Sequence, residues 1–158
     1  MKKLKKIEKK IVFGALFCVF AGAVSFAQSE SSLAFQMQNA YDSGFYPGVV
    51  LYADQILSSE SKSVYEAKAM VFKGESLFKM GRIKDSLEIL SAAEKSAKNS
   101  PELNSTRCFW TGRGLFELNK NDAALPYFYK SAEILKNAGL EKNSVYSQSI
   151  LYSGKTLV

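Results

Sequence analysis

A pattern of small and apolar residues returns along this chain at intervals of 37 to 38 residues, and no other feature restricts the fold as much. Periods of that length belong to stacked units of two or three elements, none of which can bury its apolar side alone. The clearest copy runs from Lys73 to Leu90 and the next from Thr111 to Phe128. A shift of 38 residues superposes Gly74 on Gly112, Leu77 on Leu115, Phe78 on Phe116, Ser86 on Ala124 and Leu90 on Phe128. A weaker copy lies 37 residues before the first and brings Ala40 and Tyr41 onto Leu77 and Phe78, Gly44 onto Gly81, Tyr46 onto Ile83 and Val49 onto Ser86. A fourth begins near Asn143, with Gly154 and Leu157 in the places of Gly74 and Leu77.

Each unit reads as two helices joined by a tight turn. Apolar and small residues fall at three- and four-residue steps, as in Ala69, Phe72, Ser76 and Met80, or Ile83, Leu87, Leu90 and Ala97, which is the period of a helix. Gly44, Gly81 and Gly139 can end a helix in the left-handed conformation, and Asn119 is the next best residue for it. Pro47 suits a first helical turn, and Ser100-Pro101-Glu102 offers a capping serine, a first-turn proline and an acid at the positive helix end. Pro126 is a local conflict, expected to shift the start of its helix or kink it. Strand readings of Phe45 to Tyr52 and Tyr127 to Tyr129 lack a paired hairpin partner with turn chemistry.

These residues resemble the tetratricopeptide repeat family. Its pattern has a small residue and an aromatic or apolar residue in the first helix, glycine near the turn, then small, aromatic and small in the second. Gly74, Leu77, Gly81, Ile83, Ser86, Leu90 and Ala93 fill the pattern in the central unit, and Gly112, Leu115, Ala124, Phe128 and Ser131 fill it in the next. The first unit has Ala40, Gly44, Tyr46 and Val49 but places Met37 where a small residue is expected. The resemblance implies an all-α fold over about Ser31 to Val158, a right-handed superhelical stack of antiparallel hairpins with about three repeats and a final helix.

The resemblance also implies a partner-binding groove lined by the first helix of every unit. Carried over by position, its residues are Ala34, Gln38 and Tyr41, then Lys68, Val71, Glu75 and Phe78, then Thr106, Phe109, Arg113 and Phe116, continued by Gln148, Leu151 and Lys155. Aromatics and arginine are the anchors that protein interfaces favour. The alternative is that Tyr41, Phe78 and Phe116 pack between repeats, with Trp110 in the core alongside its counterparts Phe72 and Tyr152. Capture of a terminal carboxylate is not expected, because Ala34, Gln38 and Val71 stand where polar or basic groups would be needed. The expected partner is a protein or peptide segment, with neither catalysis nor a cofactor.

Ahead of the repeats, six lysines and one acid in the first ten residues precede an apolar run from Ile11 to Val24 and the small-residue site Ser25-Phe26-Ala27. This reads as a signal peptide over residues 1–27, with the repeat domain over residues 28–158 and export to the periplasm, the cell envelope or the medium. An uncleaved leader would serve as an anchor, although the run is shorter than the roughly 20 residues a spanning helix needs. The net charge of +6 resides mostly in this leader, so the rest of the chain is close to neutral and nucleic acid is not an expected partner.

The chemistry of the remaining residues is sparse. The chain has no histidine, Cys108 is the one cysteine past the leader, and the triplets Gly112-Arg113-Gly114 and Gly154-Lys155-Thr156 lack the surroundings that a phosphate-binding loop requires. Two other readings stay open. One is a capping or assembly segment of a larger repeat protein or complex, and the other is an envelope enzyme acting on glycans through two acids.

Overall fold

The computed structural model describes residues 29–59 and 63–157, and the segment read as a signal peptide, residues 1–27, lies outside the described residues. These residues form eight helices and no strand: α1 (Glu30–Asp42), α2 (Tyr46–Leu57), α3 (Glu66–Lys79), α4 (Ile83–Ala92), the short α5 (Glu94–Ala97), α6 (Pro101–Glu117), α7 (Asn121–Asn137) and α8 (Ser144–Thr156). Neither segment with a strand reading is a strand: Phe45 caps α2 and Tyr46 to Tyr52 form its start, while Tyr127 to Tyr129 lie inside α7.

The turns follow from residue type. Gly44, Gly81, Gly139 and Asn119 all have positive φ, between 57° and 78°. In each case the next amide reaches five residues back, Phe45 to the Ala40 carbonyl, Arg82 to Leu77, Lys120 to Leu115 and Leu140 to Leu135, each at 2.8 or 2.9 Å. This 6→1 bond closes a Schellman motif and satisfies helix-end carbonyls. At the opposite ends, Ser29, Ser100 and Asn143 accept hydrogen bonds from the amides of Ser32, Leu103 and Val145. Pro126 neither shifts the start of α7 nor interrupts it: the helix runs from Asn121 to Asn137, with the proline on its exposed side.

Three antiparallel pairs result, α1 with α2, α3 with α4 and α6 with α7, and α8 packs against both α6 and α7. Small residues set the approach. A methyl at Gly74 would lie 2.5 Å from Leu90 Cδ2, and one at Gly112 would lie 2.8 Å from the Phe128 ring. The first pair inverts the sizes, with buried Met37 at the position of Gly74 and buried Ala53 at that of Leu90, both in one core cluster. Met37 therefore departs from the repeat pattern, and the small residue of this pair lies on α2 instead.

Buried serines bridge the helices. The Ser86 hydroxyl donates to the Gly74 carbonyl at 2.7 Å, and that of Ser131 donates to the Ser105 carbonyl at 2.8 Å. Ser149 of α8 completes this second bridge by donating to Ser131 at 2.9 Å. Gly112-Arg113-Gly114 lies mid-helix in α6, and its two glycines are packing positions: Gly112 faces Phe128 of α7, while a methyl at Gly114 would lie 2.8 Å from Leu87 of α4. No helix among the described residues is long and apolar enough to cross a membrane.

Candidate functional site

The first helices of successive pairs, α1, α3 and α6, touch one another in order, and α6 touches α8. One ring contact repeats along this row. Tyr41 stacks on Phe72 at 4.0 Å between centroids, Phe78 meets Trp110 at 5.0 Å, and Phe116 meets Tyr152 at 5.9 Å. Tyr41, Phe78 and Phe116 are equivalent positions, and so are Phe72, Trp110 and Tyr152, so each contact joins one unit to the next in the same way. The aromatic stripe therefore packs between units while its edges stay partly exposed.

A second equivalent row, Gln38, Glu75, Arg113 and Lys155, lies beside the rings. The Gln38 amide donates to Asp42 at 2.7 Å. Glu75 is only 8% exposed and accepts from the Tyr41 hydroxyl at 2.7 Å. Burial raises the Glu75 carboxyl above its ordinary value, while the Tyr41 hydrogen bond, the Lys79 ammonium and the Trp110 side chain pull it back down. Burial and the adjoining Glu75 likewise raise the Tyr41 phenol.

Arg113 is held by rings. Its guanidinium carbon lies 4.2 Å from the Tyr152 centroid, 5.1 Å from that of Phe78 and 5.7 Å from that of Trp110. Its Nη2 reaches Glu117 at 3.4 Å, and its Nε is buried with no hydrogen-bond partner among the described residues. Further cations stack nearby, Lys68 over Phe72 at 5.2 Å, Lys79 over Trp110 at 4.8 Å and Lys155 over Tyr152 at 4.8 Å. Stacked cations on aromatic faces are held in place without losing their charge to a counter-ion.

The structure thus brings together Gln38, Tyr41, Lys68, Glu75, Phe78, Arg113, Phe116 and Lys155, but three residues expected in the groove belong to the core, the first being Ala34, buried with Met37 and Ala40. Val71 is 0% exposed and packs with Ala93 and Ala97, while Phe109 is 1% exposed and packs with Phe128. Both lie on first helices that have neighbours on two sides, which bury a wider arc than a single stripe. Phe72, Lys79 and Tyr152 also belong to the face, and the equivalence of Phe72, Trp110 and Tyr152 in the repeat is the sequence signal for it.

No group of three or more potential metal-ligating His, Cys, Asp or Glu side chains occurs among the described residues. Compared with known proteins, the chain matches no family model, no curated protein and no solved structure.

Proposed function

We propose that the chain is a non-catalytic scaffold of tetratricopeptide-like hairpins, exported through its leader to the periplasm or cell envelope, which docks a protein or peptide segment on the face of α1, α3, α6 and α8. The observation that carries this reading is Arg113, set among the rings of Phe78, Trp110 and Tyr152 with a buried Nε that no group among the described residues satisfies. An arginine fixed in an aromatic surround is the type of anchor at which interface energy concentrates. The repeated ring contacts and the inter-helix glycines support the hairpin-repeat reading. A photo-crosslinker placed at Gln148, compared with one at Lys84, tests the docking face. The reading requires a crosslinked species at Gln148 that Arg113→Gln abolishes, and equal labelling at both positions would defeat it.

A second reading, assembly into a larger helical array, is favoured by Gly154. Its counterparts Gly74 and Gly112 each face a large side chain of a second helix, whereas nothing approaches a methyl at position 154 within 4 Å. Ile150 and Leu151 are also exposed on α8. A concentration-dependent mass by light scattering, abolished by Leu151→Glu, would distinguish this reading from a monomeric scaffold.

A further inference from the structure

A concavity of about 630 Å³ lies where α4, α5, α6 and α7 meet, and none of its lining residues belongs to the face described above. Its wall carries Lys95, Lys98, Arg107 and Lys130 against the single carboxylate of Glu94. Arg107 decides its character. The side chain is 3% exposed, yet the carboxylate oxygen it pairs with, Glu94 Oε1, lies 3.6 Å away on a largely exposed residue. That same oxygen is shared with Lys130 Nζ at 3.7 Å.

The other contacts of the guanidinium are neutral: Asn104 Oδ1 accepts from Nε at 3.3 Å and from Nη2 at 3.1 Å, and Cys108 Sγ lies 3.4 Å from Nη2. Removing a guanidinium from water is unfavourable unless an anion compensates it. Half of an exposed carboxylate is weak compensation, because solvent screens it and Lys130 competes for it.

We propose that this cavity binds a phosphate-bearing anion, with Arg107 as its buried planar anchor and Lys95, Lys98 and Lys130 as point charges around it. A phosphate group fits the excess of cations better than a carboxylate does, since it carries up to two charges over three oxygens and accepts a forked arginine contact. Binding displaces Glu94 from Arg107 and Lys130, so the carboxylate acts as a weak internal competitor.

Calorimetric titration of the purified protein with sodium pyrophosphate, at ionic strength held constant with sodium chloride, tests the site. Pyrophosphate should bind saturably, the Lys98→Gln/Lys130→Gln protein should lose about tenfold in affinity or more, and Glu94→Gln should gain affinity, as charge-assisted contacts are removed or freed. Lys142→Gln, outside the cavity, should leave binding unchanged. Arg107→Met should abolish binding where circular dichroism shows that it folds, and the exposed lysine pair gives a second test that does not depend on burial.

Sedimentation with phosphatidylcholine vesicles, with and without phosphatidic acid, identifies the source. Retention on the acidic vesicles that pyrophosphate reverses points to a lipid headgroup, and pyrophosphate binding without retention points to a soluble phosphate compound. No heat beyond the chloride control, or equal affinity in the Lys98→Gln/Lys130→Gln protein, would overturn the proposal.

Discussion

The Tyr41 hydroxyl donates a 2.7 Å hydrogen bond to Oε2 of Glu75, joining α1 to α3 through a carboxylate almost removed from solvent. The acceptor is in conflict with its surroundings. Burial favours its neutral form, whereas Tyr41, Lys79 and Trp110 favour its charged one, and burial has the larger effect. Because the folded pKa is raised above the ordinary value of 4.5, the native state keeps a proton that the unfolded chain has already released. The resulting stabilisation is complete below 4.5 and is lost as pH rises through the raised folded pKa. Glu75→Gln removes the titration, so the wild type should lose stability relative to this variant as pH rises through that window. Urea unfolding across a pH series checks this, and parallel profiles for the two proteins would show that Glu75 does not titrate in the native state as described.

Tyr41→Phe removes the donor while leaving the ring on Phe72. It should cost about 1 to 3 kcal/mol at pH values where Glu75 is ionised and less where it is protonated. The cost in a Glu75→Gln background should also be smaller, because the two residues share one interaction. A double-mutant cycle from urea midpoints reads both effects.

Three equivalent glycines should respond to alanine with opposite signs. At Gly112 the new methyl meets the Phe128 ring at 2.8 Å, and at Gly74 it meets Leu90 at 2.5 Å. Overpacking of this kind costs about 1 to 3 kcal/mol and outweighs the helix propensity gained. At Gly154 a methyl would meet nothing within 4 Å among the described residues beyond its own helix backbone and chain neighbours, so alanine should stabilise by up to about 1 kcal/mol. Thermal midpoints of the three single variants test the prediction, and destabilisation by Gly154→Ala would mean that another chain covers α8 in solution.

Arg113→Ala should uncover the rings beneath the guanidinium. Trp110 is the chain's one tryptophan and is 6% exposed, so its emission reports this patch alone. The expected result is a red shift of the native emission together with a stability loss of about 1 to 2 kcal/mol, from the stacked cation and the apolar stem of the side chain. Arg113→Lys should keep less than the full effect, since an ammonium cannot lie flat on three rings.

The hairpins were legible because their turns depend on local chemistry: Gly44, Gly81, Gly139 and Asn119 are the residue types that tolerate left-handed backbone, and all four adopt it. The division between face and core was less legible. Val71 lies four residues before Glu75 and Phe109 four before Arg113, so periodicity assigns each pair to one side of its helix. What buries Val71 and Phe109 is the packing of α5 and of α7, elements distant in sequence. Arg107 was hidden for a related reason, as one basic residue among interspersed charges whose burial arises only when α4 to α7 meet.

Met37 offers the sharpest test of whether the first pair obeys the packing rule of the others. Its counterparts Gly74 and Gly112 face Leu90 and Phe128, while Met37 shares a buried cluster with Ala53, at the position of Leu90. Met37→Ala alone should leave a cavity and cost about 2 to 5 kcal/mol. Ala53→Leu alone should overpack and cost about 1 to 3 kcal/mol. Together they restore the small-facing-large order of the other pairs, so the double variant should be more stable than the sum of the two losses by about 1 kcal/mol or more. Chemical denaturation of the four proteins measures this coupling. Strict additivity would show that Met37 and Ala53 do not occupy a shared space, and that the first pair packs by a rule of its own.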